Sequence, residues 1–421
     1  MRSIVAVLAV LGLALTGCGT ENGDDDQAKP PASRPAKPTA SRPASPTTEA
    51  AGPSWVYDEI FDEGSLSDVI AATADDIWVA GVGMDRTNPL PDDGLNPSPG
   101  DSSNPSPDDG FLLHHDGTRW QRQPMPGALG RSVYEARLDS LDSGEFLLTV
   151  TPKDMSVPRM ARWDGARWTV LPAVPGDGRL ADVKAFGPDD IWALVGESRI
   201  QHWDGTRWTT SPLPATATSL DGVAPDDLWA VGYRNTSDGS DGEELTQPAA
   251  VHWNGSSWKL TETPAYRFPE PVPAEPGASI ARVLAFAADD VRAYGTHSFN
   301  HGEGGEEPQE ESVRLRWDGS RWSRVADAEG ECAGRVPVAR DGAGGFFLDG
   351  NRYVTGDGAC TKIKRPRLPS EGGITAASRQ SLWLSAVEPV PGTDKVLGVG
   401  HVQVNQSGDP TSRSVIVSLR R

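Results

Sequence analysis

An all-β ring of repeated four-stranded units is the fold this sequence predicts, on three observations. The chain repeats itself at roughly 40 to 50 residues, most clearly in Asp189-Asp190-Ile191-Trp192-Ala193-Leu194 followed by His202-Trp203-Asp204-Gly205-Thr206-Arg207-Trp208. Asp-Gly and Asn-Gly pairs, the strongest short signal for a β-hairpin, recur in the copies. No sustained helical periodicity interrupts residues 55–421. Short strands in fours, repeated radially, make a seven-bladed β-propeller of four-stranded antiparallel blades.

The first unit carries Asp75-Asp76-Ile77-Trp78 and Asp116-Gly117-Thr118-Arg119-Trp120, and the second Arg162-Trp163-Asp164-Gly165-Ala166-Arg167-Trp168. In the third, Leu180-Ala181-Asp182-Val183 precedes the motif pair quoted above. The fourth reads Leu220-Asp221-Gly222-Val223, Asp226-Asp227-Leu228-Trp229, then His252-Trp253-Asn254-Gly255 and Trp258. The fifth has Asp289-Asp290-Val291 and Trp317-Asp318-Gly319-Ser320-Arg321-Trp322. Degenerate copies around Phe346-Phe347-Leu348 and Ser381-Leu382-Trp383-Leu384 bring the number to seven. A two-residue turn at Asp204-Gly205 would set Trp203 opposite Thr206, with Trp208 on the same face of the blade. Such indoles fill the gap to the next blade rather than stack on a ligand.

Spacing also suggests how the ring closes. Trp55 precedes Trp78 by 23 residues, close to the 24 from Trp168 to Trp192 and the 21 from Trp208 to Trp229. Ser54 to Phe61 is therefore expected to act as the outermost strand of the last blade, beside Ser414 to Leu419, covering an open edge. The alternative is a self-sufficient last blade that keeps Val396 to Val404 as a separate strand.

The N-terminus has another character. Arg2 and the apolar run Ile4 to Leu15 have the pattern of a secretory signal and are too short to span a membrane as a helix. Leu15-Thr16-Gly17-Cys18 resembles the lipobox of bacterial lipoproteins. That resemblance implies removal of residues 1–17 and diacylation of Cys18, and two acyl chains, such as palmitate, give stable anchoring. Residues 18–54 are rich in Pro, Ala and Ser with almost nothing large and apolar, so they are expected to form a disordered stalk below a propeller over 55–421. The expected location is the outer face of the cell membrane, at the bacterial cell surface.

The repeats themselves resemble those of secreted bacterial propellers related to the kelch, galactose-oxidase and sialidase-type families, over about residues 55 to 421. The resemblance concerns fold, because this fold hosts many activities. Copper chemistry of the galactose-oxidase kind would need a ligand constellation that the seven histidines, His114, His115, His202, His252, His297, His301 and His401, do not supply. His202 and His252 recur at one repeat position, and adjacent His114 and His115 on a strand would face opposite ways. The Trp-Asp-Gly-x-Arg-Trp motif lacks the leading Ser of a sialidase box. Its arginines, Arg119, Arg167, Arg207 and Arg321, fall on different blades and cannot converge on one carboxylate. No nucleophile elbow, phosphate loop or zinc motif is present, so no catalytic residue is expected.

A formal net charge of −20 argues against nucleic acid and against direct contact with an anionic lipid surface, and favours cations or basic partners. Cys332 and Cys360, the cysteines besides Cys18, would pair in an exported protein. Their expected places, the entry to the sixth blade and its last hairpin, lie at opposite ends of a blade, so either the pair is free or the strands there are shifted.

Four long insertions, about 84–110, 234–248, 298–311 and 388–411, would emerge between second and third strands and so on one face. Three are acidic: Asp92, Asp93, Asp101, Asp108 and Asp109; Asp238, Asp241, Glu243 and Glu244; Glu303, Glu306, Glu307, Glu310 and Glu311. The function expected is a monomeric, membrane-anchored binding or scaffolding module. It would recognise a protein, glycan or cation through this acidic face, with no cofactor beyond weakly held Ca²⁺. The alternatives are a glycan-active hydrolase or lyase on the same scaffold and a subunit of an envelope assembly machine. Acidic and aromatic side chains converging in the central channel would point to the enzyme.

Overall fold

The computed structural model describes residues 52–62, 64–83, 109–141, 144–176, 179–196, 198–236, 245–301, 307–342, 344–348, 351–407 and 411–420. Cys18, the signal segment and the expected stalk up to residue 51 lie outside them, whereas its last residues are described and Ser54 already belongs to the first strand. Ala50–Arg421 is one compact unit, an all-β propeller of four-stranded antiparallel blades.

The third unit shows how the sequence builds a blade. Leu180–Gly187, Asp190–Val195, Arg199–Trp203 and Trp208–Pro212 pair in order, and the second strand, DIWALV, is buried over five of its six positions. Its last hairpin differs from the two-residue turn expected. Trp203 faces Trp208, not Thr206. A four-residue loop closes instead, because Asp204 Oδ1 accepts the N–H groups of Thr206 and Arg207, both at 2.9 Å, with Gly205 at φ 86°.

Apolar clusters join neighbouring units around the ring. Leu141, Leu147 and Met160 of the second meet Val183, Ile191 and Ala193 of the third, and Trp192 and Leu194 meet Leu220, Leu228 and Val251 of the fourth. The last cluster brings Phe61, Leu397 and Ile416 against Leu66, Val79 and Leu113 of the first unit.

Five units are separate four-stranded sheets, and this corrects the expectation of seven. The strands of the fourth (216–261) and fifth (277–324) run together into one eight-stranded sheet through a parallel bridge of Thr246 to Gly277. Gly277 allows the bridge, because a Cβ there would come within 2.6 Å of Thr246 Oγ1.

The N-terminal strand Ser54–Phe61 pairs antiparallel with Thr411–Arg420, from Ser54 opposite Arg420 to Phe61 opposite Ser414. Closure is as expected, but the strand order inside the last unit is shifted. Arg379–Pro389, which holds Trp383, is the innermost strand and Val396–Asn405 the second. The supposed insertion 388–411 is therefore largely strand.

The sixth unit has strands of only two or three residues, Ala339–Arg340, Phe346–Phe347, Arg352–Val354 and Cys360–Lys362. Cys332, in a short 3-10 turn, is bonded to Cys360 with Cα atoms 5.9 Å apart. The two ends of so short a blade lie within about 10 Å, which removes the geometric objection to the pair.

Candidate functional site

The histidines of the repeat are struts. His114, His202 and His252 stack on Trp78, Trp192 and Trp229 with ring centroids 4.2, 3.9 and 4.3 Å apart. Each Nε2 lies 2.7 to 2.9 Å from the second acid of its own Asp-Asp pair, Asp76, Asp190 or Asp227. His115 points the other way, to Trp120. The second-strand indoles pack on the next blade: Trp78 on Trp163 and Trp168, Trp192 on Trp253 and Trp258, Trp229 on Trp317 and Trp322, at 5.0 to 6.0 Å. Among the described residues no three His, Cys, Asp or Glu side chains are grouped to hold a metal ion.

The acidic face is only partly within the described residues. Asp92, Asp93, Asp101, Asp108, Asp238, Asp241, Glu243, Glu244, Glu303 and Glu306 lie outside them. The rest already face basic side chains of this chain. Asp109 is 3.6 Å from Arg131. Glu307 and Glu310 hold His301 at 2.7 and 3.3 Å, and the hydrogen bond to Glu307 raises the His301 pKa. Glu311 lies 2.9 Å from His297 and 3.7 Å from Arg324.

The charged groups that the structure does bring together line the central channel, a cavity of about 640 Å³ walled by the innermost strands. They sit in two tiers fixed by register. In the upper tier Asp68, Arg137, Asp182, Ser219, Arg282 and Ala386 occupy equivalent positions after or beside the inner-strand irregularity, opposite Ala80, Thr149, Leu194, Val231, Tyr294 and Val399. Two residues further along come Ile70, Asp139, Lys184, Asp221, Leu284 and Glu388. Arg340 comes from the sixth unit.

Much of this charge staples blade to blade. Asp68 Oδ2 accepts the N–H of Leu138 at 2.9 Å, Asp182 Oδ2 that of Leu220 at 2.8 Å, and Asp221 Oδ2 that of Ala285 at 2.9 Å, each from the next unit. Arg137 donates to Asp182 at 2.7 Å. Lys184 lies 3.0 Å from Asp221, which also takes Arg340.

Three carboxyls on one side of the channel make no ion pair among the described residues: Glu388 of the last unit, Asp68 of the first and Asp139 of the second. Burial pushes all three up, Asp68 to about 6, Asp139 to about 7 and Glu388 to about 8. The neighbouring Asp68 adds to the shift of both others. On the other side burial lowers Lys184 to about 8 and lowers Arg340. Among the described residues no aromatic side chain lines the cavity.

These channel residues are the ones sequence reasoning missed. Leu66-Ser67-Asp68-Val69 and Leu180-Ala181-Asp182-Val183 share Leu-x-Asp-Val, an acid recurring on an otherwise apolar inner strand, and that was the signal.

No protein-family model matches the chain and no curated protein matches it, so the likeness to kelch, galactose-oxidase and sialidase-type repeats finds no support there. Solved structures similar to it include YCF48 bound to D1 peptide, at 14% identity over 87% of this chain and 96% of that one, TM-score 0.46. The β-propeller domain of the trilobed protease from Pyrococcus furiosus is similar at 9% identity, over 83% and 97%, TM-score 0.44. A third is the S. cerevisiae complex of Dbp5 with Nup159, Gle1, IP6 and ADP, at 12% over 86% and 90%, TM-score 0.41. At these scores the likenesses decide nothing about this chain's activity or ligand.

Proposed function

We propose that the chain is an exported binding module, held on the outer face of the cell membrane by a lipid on Cys18, which receives its ligand at the mouth and wall of the central channel. The observation that carries this reading is the channel itself: a cavity of about 640 Å³ walled by charged side chains from successive inner strands. Solvated charge is ordinary on a surface, but charge gathered in a concave site is costly unless it is paired or serves a ligand. The absence of aromatic side chains from the described cavity lining removes the stacking platform that a sugar ring would use, so binding is favoured over glycan chemistry. Partners among basic proteins fit the net charge of −20.

Two measurements test the proposal. Cys18→Ser should move the protein from the membrane pellet to the medium or leave it unprocessed, and mature protein still in the pellet would remove the anchor. Capture of a partner from solubilised membranes by the mature chain should weaken when the channel wall is changed by Asp139→Asn and Glu388→Gln. Capture that is indifferent to the wall but lost when the loops of the opposite face are replaced would move the site.

A further inference from the structure

The channel wall is divided by sign. Lys184 and Arg340 converge on Asp221, so that side is neutralised within the chain, while Arg137 of the second unit is taken up by Asp182 of the third. Across the sector formed by the last, first and second units the pattern is reversed. Glu388 and Asp139 stand at the same register on either side of Ile70, with Asp68 one step above between them.

Asp68 is satisfied by the backbone N–H groups of Val69 and Leu138. Asp139 is not: its Oδ2 is buried and accepts no hydrogen bond. A buried acceptor without a donor costs about 1–3 kcal/mol, a cost natural proteins retain mainly where something else supplies the donor. Arg137 stands in this sector but is engaged by Asp182, so the acids of the sector outnumber its one guanidinium, and the hydrogen-bonding group that Asp139 lacks is a donor.

We propose that this sector is a binding pocket for an ammonium or guanidinium group carried on a flexible chain, with Asp139 and Glu388 as its counter-charges and Asp68 as the fixed acid between them. The inference rests on the reading of the channel as the ligand site and names the chemistry that the site takes. The cation has two natural sources, a free polyamine and the Lys or Arg side chain of a protein partner, and both present the same N–H donors. A metal ion is a poorer occupant, because the carboxyls are not grouped at ligand spacing.

The groups facing the pocket set its proton balance. Arg137, Asp68, Asp182 and Lys184 surround Asp139, Arg137 and Arg282 face Asp68, and Asp68 faces Glu388. In the unliganded protein at pH 6.5 the carboxyls at about 7 and about 8 still hold most of their protons. An arriving cation favours the ionised forms, so binding expels protons to solvent, up to one from each carboxyl, and affinity rises with pH. Lys184, at about 8, also loses its proton in this range, so carboxyl variants are needed to assign the effect.

The test is titration calorimetry on the full mature chain at low salt, with spermidine and with a blocked pentapeptide centred on Lys as separate probes, in two buffers of different ionisation enthalpy. At least one probe should bind saturably, release about one to two protons at pH 6.5 and few at pH 9, and gain at least tenfold in affinity between them. Asp139→Asn with Glu388→Gln should weaken binding at least tenfold and abolish the release, with an unchanged circular-dichroism spectrum. Binding of spermidine alone assigns a free polyamine, and binding of the peptide alone assigns a partner's side chain. The proposal is overturned if neither probe binds, if binding releases no protons at pH 6.5, or if the double variant binds as the wild type does. If it falls while membrane capture persists, the binding-module reading stands without this pocket.

Discussion

The third and fourth units and the sixth occupy similar slots in one ring but are held in place by different means. In the third and fourth, strands of four to ten residues carry an indole–imidazole–carboxylate strut whose tryptophan packs on the blade beyond. In the sixth no strand exceeds three residues. There the Cys332–Cys360 bond and arginine contacts do the holding: Arg352 meets Glu331 at 2.9 Å, and Arg314 donates to the Arg335 carbonyl at 2.9 Å. Buried aromatic area and a covalent loop closure are thus interchangeable ways of fixing a blade, and a short strand ladder needs the second.

That comparison can be broken in graded steps. The largest effect is expected from deleting 54–61, which removes a whole strand with the fully buried Trp55 and Phe61. Cooperative thermal unfolding should be lost, whereas deletion of 21–50 should leave the melting temperature unchanged, and equal melting temperatures would refute closure by this strand. Trp229→Ala, in the best-packed strut, should cost about 3–5 kcal/mol in denaturant titration. Cys332→Ser with Cys360→Ser opens a loop of 28 residues' separation and should cost about 3–4 kcal/mol. If this double variant proves harmless, the sixth unit is held by its arginines. His252→Ala, which strips the imidazole from Trp229 and Asp227 but leaves the core, should cost about 1 kcal/mol. Arg207→Ala, breaking an exposed 3.6 Å pair with Asp204, should change stability by less than about 0.5 kcal/mol.

Regular repeats were legible because each indole does one job at one spacing. Trp203 and Trp208 could be assigned to blade interfaces without coordinates, and Trp55 to the closing strand. The last unit was misread because its second strand, Val396–Asn405, has neither an Asp-Asp pair nor a tryptophan. Its packing uses Gly398 and Gly400, and the one tryptophan nearby, Trp383, belongs to the inner strand. The channel charges escaped for a different reason. An isolated Asp68 or Glu388 in sequence looks like a solvated residue, and only the ring brings positions some 320 residues apart to one wall. Loop acids drew attention by their density, yet Asp109, Glu307, Glu310 and Glu311 are spoken for by nearby basic side chains.

The pairing of Ser54–Phe61 with Thr411–Arg420 also sets a timetable. Segments about 360 residues apart must meet, and contacts of such separation form late and slowly. During synthesis Trp55 and Phe61 have no place to bury until residues 411–420 have been made. Every chain cut short before Thr411 therefore keeps an unpaired, apolar first strand, which marks it for aggregation or proteolysis. Ring closure thus checks that synthesis has passed the strand Thr411–Arg420.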